Sequence, residues 1–186
     1  MRISMYKQVV TSYRDLILAP LKQSDLAELV RWPKFENSDL LWANFQFNSK
    51  EMQDRWMSSN VKPWIHWYSV RDSKNMLIAR CTITETEDND IVMFGIVVRP
   101  DYIGKGYGQQ ITKMALLLIL NHTSVKTVWL ESKADNEQAI RLWCRMGFHS
   151  TGYHYRRDQN ATYHRFIGFQ FLLEDLTNES EIKFTV

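Results

Sequence analysis

The feature that most constrains the fold is an apolar strand pattern that runs through a glycine-rich loop into an apolar helix pattern. The strand covers Ile91–Val98, and glycine occupies alternate positions over residues 104–108. Apolar residues then recur with helical spacing over residues 109–120, and residues 126–130 predict a second strand. A strand, helix, strand unit needs a crossover connection, so we expect the two strands to pair in parallel.

The segments before this unit predict antiparallel strands joined by short turns. Residues 67–71, 76–86 and 90–99 have strand patterns, and turn-forming residues separate them. We therefore expect an α/β (α+β) fold with a mixed, mostly antiparallel seven-stranded sheet and helices on both faces. The remaining predicted strands are residues 15–20, 148–156 and 162–172, and the helices are predicted near Ser24, Ser49, Gln109 and Asn136.

Composition predicts a single globular domain over residues 1–186, with a core of about 15–172. Apolar residues make up 45% of the chain, and no Pro-rich or Gly/Ser-rich linker divides it. A membrane span needs about twenty apolar residues, far more than any run here, so no membrane partner is expected. The net charge of +2 is too small to indicate a nucleic-acid binder. Without a signal-peptide pattern or a close cysteine pair, we expect a cytoplasmic protein with reduced Cys81 and Cys144.

The glycine loop has the properties of an anion site. It joins a strand to a helix N-terminus, where backbone N–H groups and the helix dipole favour phosphate. It is not a Walker loop, because it lacks the GxxxxGK pattern followed by Ser or Thr. It is not a dinucleotide fingerprint, because Gln109 stands where the third glycine belongs. The two open interpretations are an ordinary tight turn and a pyrophosphate site made of backbone alone, without a metal.

Two segments resemble the signatures of the GNAT family of N-acetyltransferases. Residues 95–108 resemble the family's acyl-CoA loop, with Ile103 where the family has Arg or Gln, and residues 136–148 resemble its Asn-x-x-Ala helix that ends in Gly-Phe. The resemblance covers most of the chain and implies two central strands that separate around the pantetheine arm of acetyl-CoA. The residues it implies for pantetheine and the thioester are Ile96, Val97 and Val98, those for the pyrophosphate are Gly104, Lys105, Gly106, Tyr107, Gly108 and Gln109, and the one for the arm is Asn136.

The resemblance also implies transfer of an acetyl group from acetyl-CoA, as co-substrate, to a primary amine on a protein or peptide N-terminus or a small molecule. Such a reaction uses a base for the amine and a proton for the leaving thiolate. Glu131 and Glu85, near strand ends, are the candidate catalytic carboxylates, with a solvated strand end as the alternative for each. Trp143 stands where the family has its catalytic Tyr, so the usual acid is missing. The possible substitutes, which the sequence does not rank, are Tyr107, Cys144, Tyr153 and Tyr155.

The remaining polar and aromatic residues leave alternatives open. The histidines show no metal-ligand spacing, and His149 and His154 are expected on opposite faces of a regular strand, so no metal is expected. The aromatic cluster within residues 32–68 is either core or the wall of an acceptor pocket. The expected partners are acetyl-CoA and an amine acceptor, and the chain is expected to be a monomer or homodimer. The rival function is a non-catalytic acyl-CoA-binding module of the same fold.

Overall fold

A nine-stranded mixed sheet forms the centre of the protein. The computed structural model describes residues 10–36, 38–47, 49–157, 161–176 and 183–185. The strands are β1 (Val10–Tyr13), β2 (Leu16–Pro20), β3 (Ile65–Arg71), β4 (Leu77–Glu85), β5 (Ile91–Val98), β6 (Thr127–Lys133), β7 (His149–Arg157), β8 (Tyr163–Leu172) and β9 (Lys183–Thr185). Their order across the sheet is β7-β8-β6-β5-β4-β3-β2-β1-β9. Among the described strands, β5 and β6 pair in parallel and all other neighbours are antiparallel.

The predicted mixed, mostly antiparallel sheet is confirmed, with two strands more than the predicted seven. The additional strands are β1 and β9, which lie at one edge of the sheet, where β1 pairs with both β2 and β9. Both lie outside the range 15–172 in which strands were predicted. The parallel pairing predicted around the glycine loop joins β5 to β6.

Four α-helices connect the strands: α1 (Gln23–Val30), α2 (Lys50–Asn60), α3 (Tyr107–His122) and α4 (Glu137–Arg145). Two of them begin with side-chain caps where the sequence predicts a helix start. The Ser49 hydroxyl accepts the N–H of Met52 at 3.3 Å, and Asn136 Oδ1 accepts the N–H of Ala139 at 3.1 Å. After α4, Gly147 adopts a φ of 85°, the left-handed conformation in which glycine commonly ends a helix. Within the described residues, no helix combines the length and the apolar character needed to cross a membrane.

Two apolar cores place helices on both faces of the sheet, as predicted. Phe94 of β5 lies in the core that also contains α3 and Trp143 of α4. Val97 of the same strand lies in the opposite core, with Leu26 and Leu29 of α1. Because side chains alternate along a strand, every residue of β5 or β6 can be assigned to the α3/α4 face or to the α1/α2 face. This assignment decides which candidate site residues can act together.

Candidate functional site

β5 and β6 begin side by side and then separate. Their pairing covers three residue pairs and ends with Met93 opposite Trp129. β5 continues to Val98 and β6 to Lys133, but no pairing joins these later residues in the described chain. The two strands therefore border a gap at the end of the sheet where the glycine loop begins.

The backbone of β5 offers hydrogen-bonding groups to this gap at alternate residues. The N–H of Arg99 donates to the carbonyl of Ile78 on the β4 side at 2.8 Å. In an antiparallel pair the residues alternate between bonding to the partner and facing away from it. Val97 therefore bonds to β4, whereas Ile96 and Val98 direct their N–H and C=O groups towards the gap. Of the three residues predicted to contact pantetheine, these two have backbone groups in the required direction.

The glycine loop turns from β5 into α3 through two left-handed residues. Gly104 has a φ of 79° and Gly106, the N-cap of α3, a φ of 82°. A Cβ atom added at either residue would meet nothing within 4 Å, so the space beside both is open. In the described chain, the N–H groups of residues 104–109 donate to no backbone acceptor. The loop thus presents several open donors at the positive end of a helix, which suits a phosphate group.

Tyr102 holds the loop against the rest of the protein. Its hydroxyl donates to Asp72 Oδ2 at 3.3 Å, and its ring centroid lies 5.4 Å from that of Tyr107. Burial, together with the nearby Asp72 carboxylate, raises the pKa of Tyr102, so the hydroxyl remains a donor at neutral pH. The Lys105 ammonium lies 5.1 Å from the centre of the same ring and brings a positive charge to the loop.

α4 begins on the far side of the gap, directly after β6. Asn136 caps this helix through Oδ1, which leaves its Nδ2 group as a donor. Gly108 lies where α3 and α4 approach closely, because a Cβ there would be 3.1 Å from Leu142 Cδ2. Gly108 therefore lies at a close contact between two helices, in contrast to Gly104 and Gly106, which border open space.

Glu131 lies beside the start of the gap. It is two residues beyond Trp129 on β6, as Gly95 is two residues beyond Met93 on β5, so Glu131 and Gly95 face each other across the opening. A Cβ at Gly95 would lie 2.9 Å from Thr82 Oγ1, which explains the glycine.

Two side chains from β7 contact the Glu131 carboxylate. Its Oε2 atom lies 2.8 Å from His154 Nε2 and 2.8 Å from Arg156 Nη2. The imidazole of His154 stacks on Phe166, with ring centroids 5.8 Å apart and planes 19° apart, and lies 6.2 Å from the Trp129 ring. The side chains of Glu131, His154 and Arg156 are 16%, 35% and 52% exposed. Sequence reasoning found Glu131 but missed both partners, because their contact depends on the register of three strands.

Glu85, the other predicted carboxylate, lies on the opposite face of the sheet. It pairs with Val92, which pairs with Val128, so these three residues share the α3/α4 face. Glu131 is an odd number of residues beyond Val128 and therefore points to the α1/α2 face. Glu85 Oε1 is 2.9 Å from His66 Nε2. The structure does not bring the two predicted carboxylates together, and only Glu131 borders the gap on the α1/α2 face.

Trp143 is a core residue. Its indole N–H donates to Ser132 Oγ at 3.0 Å, and its ring packs edge-on against Phe94, with centroids 6.3 Å apart. An indole N–H is a donor only and does not deliver a proton to a thiolate. The acid expected from the family is therefore absent at this position. Among the possible substitutes, Cys144, Tyr153 and Tyr155 are exposed, and Tyr107 is half-buried in the glycine loop.

Aromatic rings from α2, β3 and the segment before α2 pack together on the α1/α2 face. The centroid of Trp56 lies 5.4 Å from that of Phe45 and 4.9 Å from that of Trp67. The Arg80 guanidinium lies over both Phe45 and Trp67, at 4.9 and 5.3 Å. Burial lowers the pKa of Arg80 to about 10, so it stays charged at neutral pH. These rings form core around a buried cation, and the side chain of Trp42, from the same predicted cluster, lies outside the described residues.

The two histidines of β7 lie on one face, so the prediction of opposite faces is wrong. The register of β7 against β8 shifts within residues 150–152. His149 is opposite Gln170 and His154 is opposite Phe166, which are an even number of residues apart on β8. The extra residue in the bulge reverses the alternation expected of a regular strand. Groups of three or more potential metal ligands are absent from the described residues.

A strand gap with a glycine loop and a helix N-terminus at its mouth is the arrangement expected of an acetyltransferase domain. The profile of the acetyltransferase (GNAT) domain matches residues 15–149. The chain belongs to the GNAT acetyltransferase family, which confirms the resemblance found in the sequence.

The individual relatives that the chain resembles are acetyltransferases as well. The chain is 34% identical over 76 residues to the [ribosomal protein bS18]-alanine N-acetyltransferase of Escherichia coli K12, a match that covers 41% of this chain and 51% of that protein. The chain thus spans about half the length of the curated relatives it matches. A GNAT-family acetyltransferase from Bacillus anthracis has a TM-score of 0.73 at 13% identity, covering 89% of this chain and 99% of that one. Spermidine N-acetyltransferase from Vibrio cholerae, solved with CoA and spermine, has a TM-score of 0.67 at 21% identity, covering 86% and 96%. At these identities the solved structures show a shared fold.

Proposed function

We propose that this protein transfers the acetyl group of acetyl-CoA to a primary amine by direct attack of the amine on the thioester. The observation that carries the proposal is the separation of β5 and β6 after three residue pairs, with the glycine loop at the open end. An extended pantetheine arm fits between the strands in the manner of an added strand. Ile96 and Val98 supply backbone groups to the arm, the amides of Gly104, Lys105, Gly106, Tyr107 and Gln109 bind the pyrophosphate, and Asn136 donates from the far side.

Glu131 is the base of the proposed reaction. The amine nitrogen bonds to the thioester carbonyl carbon, the carbon–sulfur bond breaks, and Glu131 accepts the proton that the amine loses. The carboxylate borders the gap on the α1/α2 face, across the opening from Gly95 of β5. The coenzyme thiolate leaves without a tyrosine donor, and since a thiol of this kind has a pKa near 8.5, water can protonate it.

An α-amine is the acceptor that this site serves best. A lysine-like amine with a pKa of about 10.4 costs roughly 4.6 kcal/mol to deprotonate at pH 7, whereas an α-amine at about 7.7–8.0 costs roughly 1–1.4 kcal/mol. A site whose carboxylate is already in contact with an imidazole and a guanidinium is better matched to the smaller cost. The similarity to a ribosomal-protein alanine N-acetyltransferase supports a peptide N-terminus as the first acceptor to test.

The test combines acetyl-CoA with a short peptide that begins with alanine and follows both coenzyme thiol release and the mass of the peptide. The matched control is the same peptide with a blocked N-terminus, and spermidine tests the polyamine alternative. We expect acetylation of the open peptide alone, and Glu131→Gln should lower kcat about 100-fold without changing acetyl-CoA affinity. Binding of acetyl-CoA without thiol release for any amine would instead support the non-catalytic module. The bond of the Trp143 indole N–H to Ser132 favours this alternative, because it leaves no acid at that position.

A further inference from the structure

We infer that His154 is a positioning residue that orients the Glu131 carboxylate, and that the charge of its imidazole controls whether Glu131 can accept the proton of the acceptor amine. The inference rests on the proposed function, because it assigns Glu131 the role of base. Nothing in the sequence signatures pointed to His154, which lies on β7, two strands away from β6.

The geometry determines which imidazole nitrogen carries the hydrogen. Arg156 Nη2 forms an ion pair with Glu131 Oε2 at 2.8 Å, and an ion pair requires the ionised carboxylate. An ionised carboxylate accepts hydrogen bonds only. His154 Nε2, 2.8 Å from the same oxygen, must therefore carry a hydrogen. Nδ1 is then the nitrogen that gains or loses a proton.

His154 and Arg156 both contact the same oxygen, Oε2, which leaves the other for substrate. In the described part of the chain, no hydrogen bond engages Glu131 Oε1. The imidazole plane is fixed by stacking on Phe166, and the Arg156 guanidinium lies 5.9 Å from the same ring. Phe166 of β8 keeps the His154 and Arg156 side chains in place. The Glu131 carboxylate therefore has one preferred orientation, with Oε1 available to the amine.

Imidazole ionisation changes the sign of the local charge. With a neutral imidazole, Glu131 and Arg156 cancel, whereas an imidazolium leaves the cluster with a net positive charge. The other charged or titratable side chains on this face of the packed strands are Lys133 on β6, two residues from Glu131, His164 on β8, opposite Arg156, and His149 at the start of β7. Among the described residues of β6, β7 and β8, Glu131 is the single acid on the face. An imidazolium would therefore repel an ammonium acceptor and disfavour proton transfer to Glu131.

Two substitutions separate orientation from titration. His154→Gln retains a side-chain N–H donor but cannot become charged, and His154→Ala removes both properties. The matched control is His149→Gln, because His149 is exposed on the same strand and the same face. Each variant is assayed for kcat and KM between pH 5 and 9 with acetyl-CoA and the peptide that begins with alanine, and acetyl-CoA affinity is measured separately.

We expect wild-type kcat/KM to fall on acidification with two ionisations, one from the amine and one from the imidazole. His154→Gln should fall with one ionisation and stay within about threefold of wild type at pH 9, since its hydrogen bond to the carboxylate remains. His154→Ala should lose about 10- to 100-fold in kcat at pH 9, as expected when a hydrogen bond to a charged group is removed. His149→Gln should match wild type, and all variants should bind acetyl-CoA equally.

Nitrogen NMR of the imidazole gives a second readout that does not depend on acetyl transfer. We expect hydrogen on Nε2 at every pH and titration of Nδ1. A two-ionisation profile in His154→Gln, wild-type kcat in His154→Ala at pH 9, or a neutral imidazole with hydrogen on Nδ1 would each overturn the inference. If the wild-type protein acetylates no amine, the proposed function and this inference are both overturned. That outcome differs from a failure of this inference alone, in which the wild-type protein is active and the variants do not change as expected.

Discussion

At the scale of single residues, the two cysteines occupy opposite environments. Cys81 lies on β4 in the core beneath α3, and Cys144 is exposed on α4. Burial raises the pKa of the Cys81 thiol to about 12. Because the thiolate is the form that reacts with alkylating reagents, both burial and the raised pKa protect Cys81 in the folded protein.

We therefore predict that one thiol per chain is alkylated rapidly at pH 8 and that the second reacts only when the protein unfolds. Mass spectrometry after brief iodoacetamide treatment should place the label on Cys144. Cys144→Ser should remove the rapid phase and leave the slow one. Rapid labelling of Cys81 in the native state would contradict the packing of β4 beneath α3.

Trp143 allows a second prediction at this scale, one that separates stability from catalysis. Trp143→Phe keeps an aromatic ring against Phe94 but leaves the buried Ser132 hydroxyl without its donor. We expect the free energy of unfolding in urea to fall by about 1–2 kcal/mol and kcat to stay within about twofold of wild type.

The matched variant is Trp32→Phe, because the Trp32 indole also donates from a buried site, to the carbonyl of Leu77 at 3.0 Å. It should lose comparable stability and leave kcat unchanged. If Trp143→Phe lowered kcat far more than Trp32→Phe, the assignment of Trp143 as a core residue would be wrong.

At the scale of elements, the sequence predicts the features that depend on residues close together in the chain. The four helices, the caps at Ser49 and Asn136 and the glycine at residue 147 follow from patterns within a few residues of each other. The contact of Glu131 with His154 and Arg156 does not, because it depends on the register of β6, β8 and β7 and on a bulge in β7. The edge strand β9 was missed because it pairs with β1 across almost the whole length of the chain, and β1 was missed although it also forms a local hairpin with β2.

The glycine loop gives a prediction that distinguishes backbone strain from ligand contact. Gly106→Ala places a methyl group in open space at the N-terminus of α3, at a φ of 82°. We expect a loss of about 1 kcal/mol in stability from the left-handed conformation. We also expect acetyl-CoA affinity, measured by calorimetry, to fall by about tenfold or more, because the methyl group keeps phosphate away from the amides.

Gly152→Ala is the control for strain. Gly152 has a φ of 105°, and a Cβ there also meets nothing within 4 Å, but it lies in β7, away from the loop. This variant should lose similar stability and keep its affinity for acetyl-CoA. Equal affinities for the two variants would argue against the glycine loop as the pyrophosphate site.

At the scale of the whole molecule, two parts of the sheet are connected by few residue pairs. The strands β6, β7 and β8 connect to the rest of the sheet through the three residue pairs between β5 and β6. Beyond those pairs, β5 has backbone donors and acceptors that no strand satisfies in the described chain. A ligand that fills the gap would therefore join the two parts of the sheet as well as occupy the site.

The separation of β5 from β6 predicts an alternating pattern of amide protection along β5. In the protein alone, the N–H of Val97 is bonded to β4 and should exchange slowly, whereas those of Ile96 and Val98 point into the gap and should exchange faster. Acetyl-CoA should slow exchange at Ile96 and Val98 and change Val97 little, as followed by NMR hydrogen exchange. The comparison ligand is adenosine 3′,5′-bisphosphate, which lacks the pantetheine arm and should leave both residues unprotected. Only a ligand that lies along β5 can protect alternate residues. If acetyl-CoA protected all three amides equally, the coenzyme would be stabilising the protein by binding elsewhere, and the gap would not be its binding site.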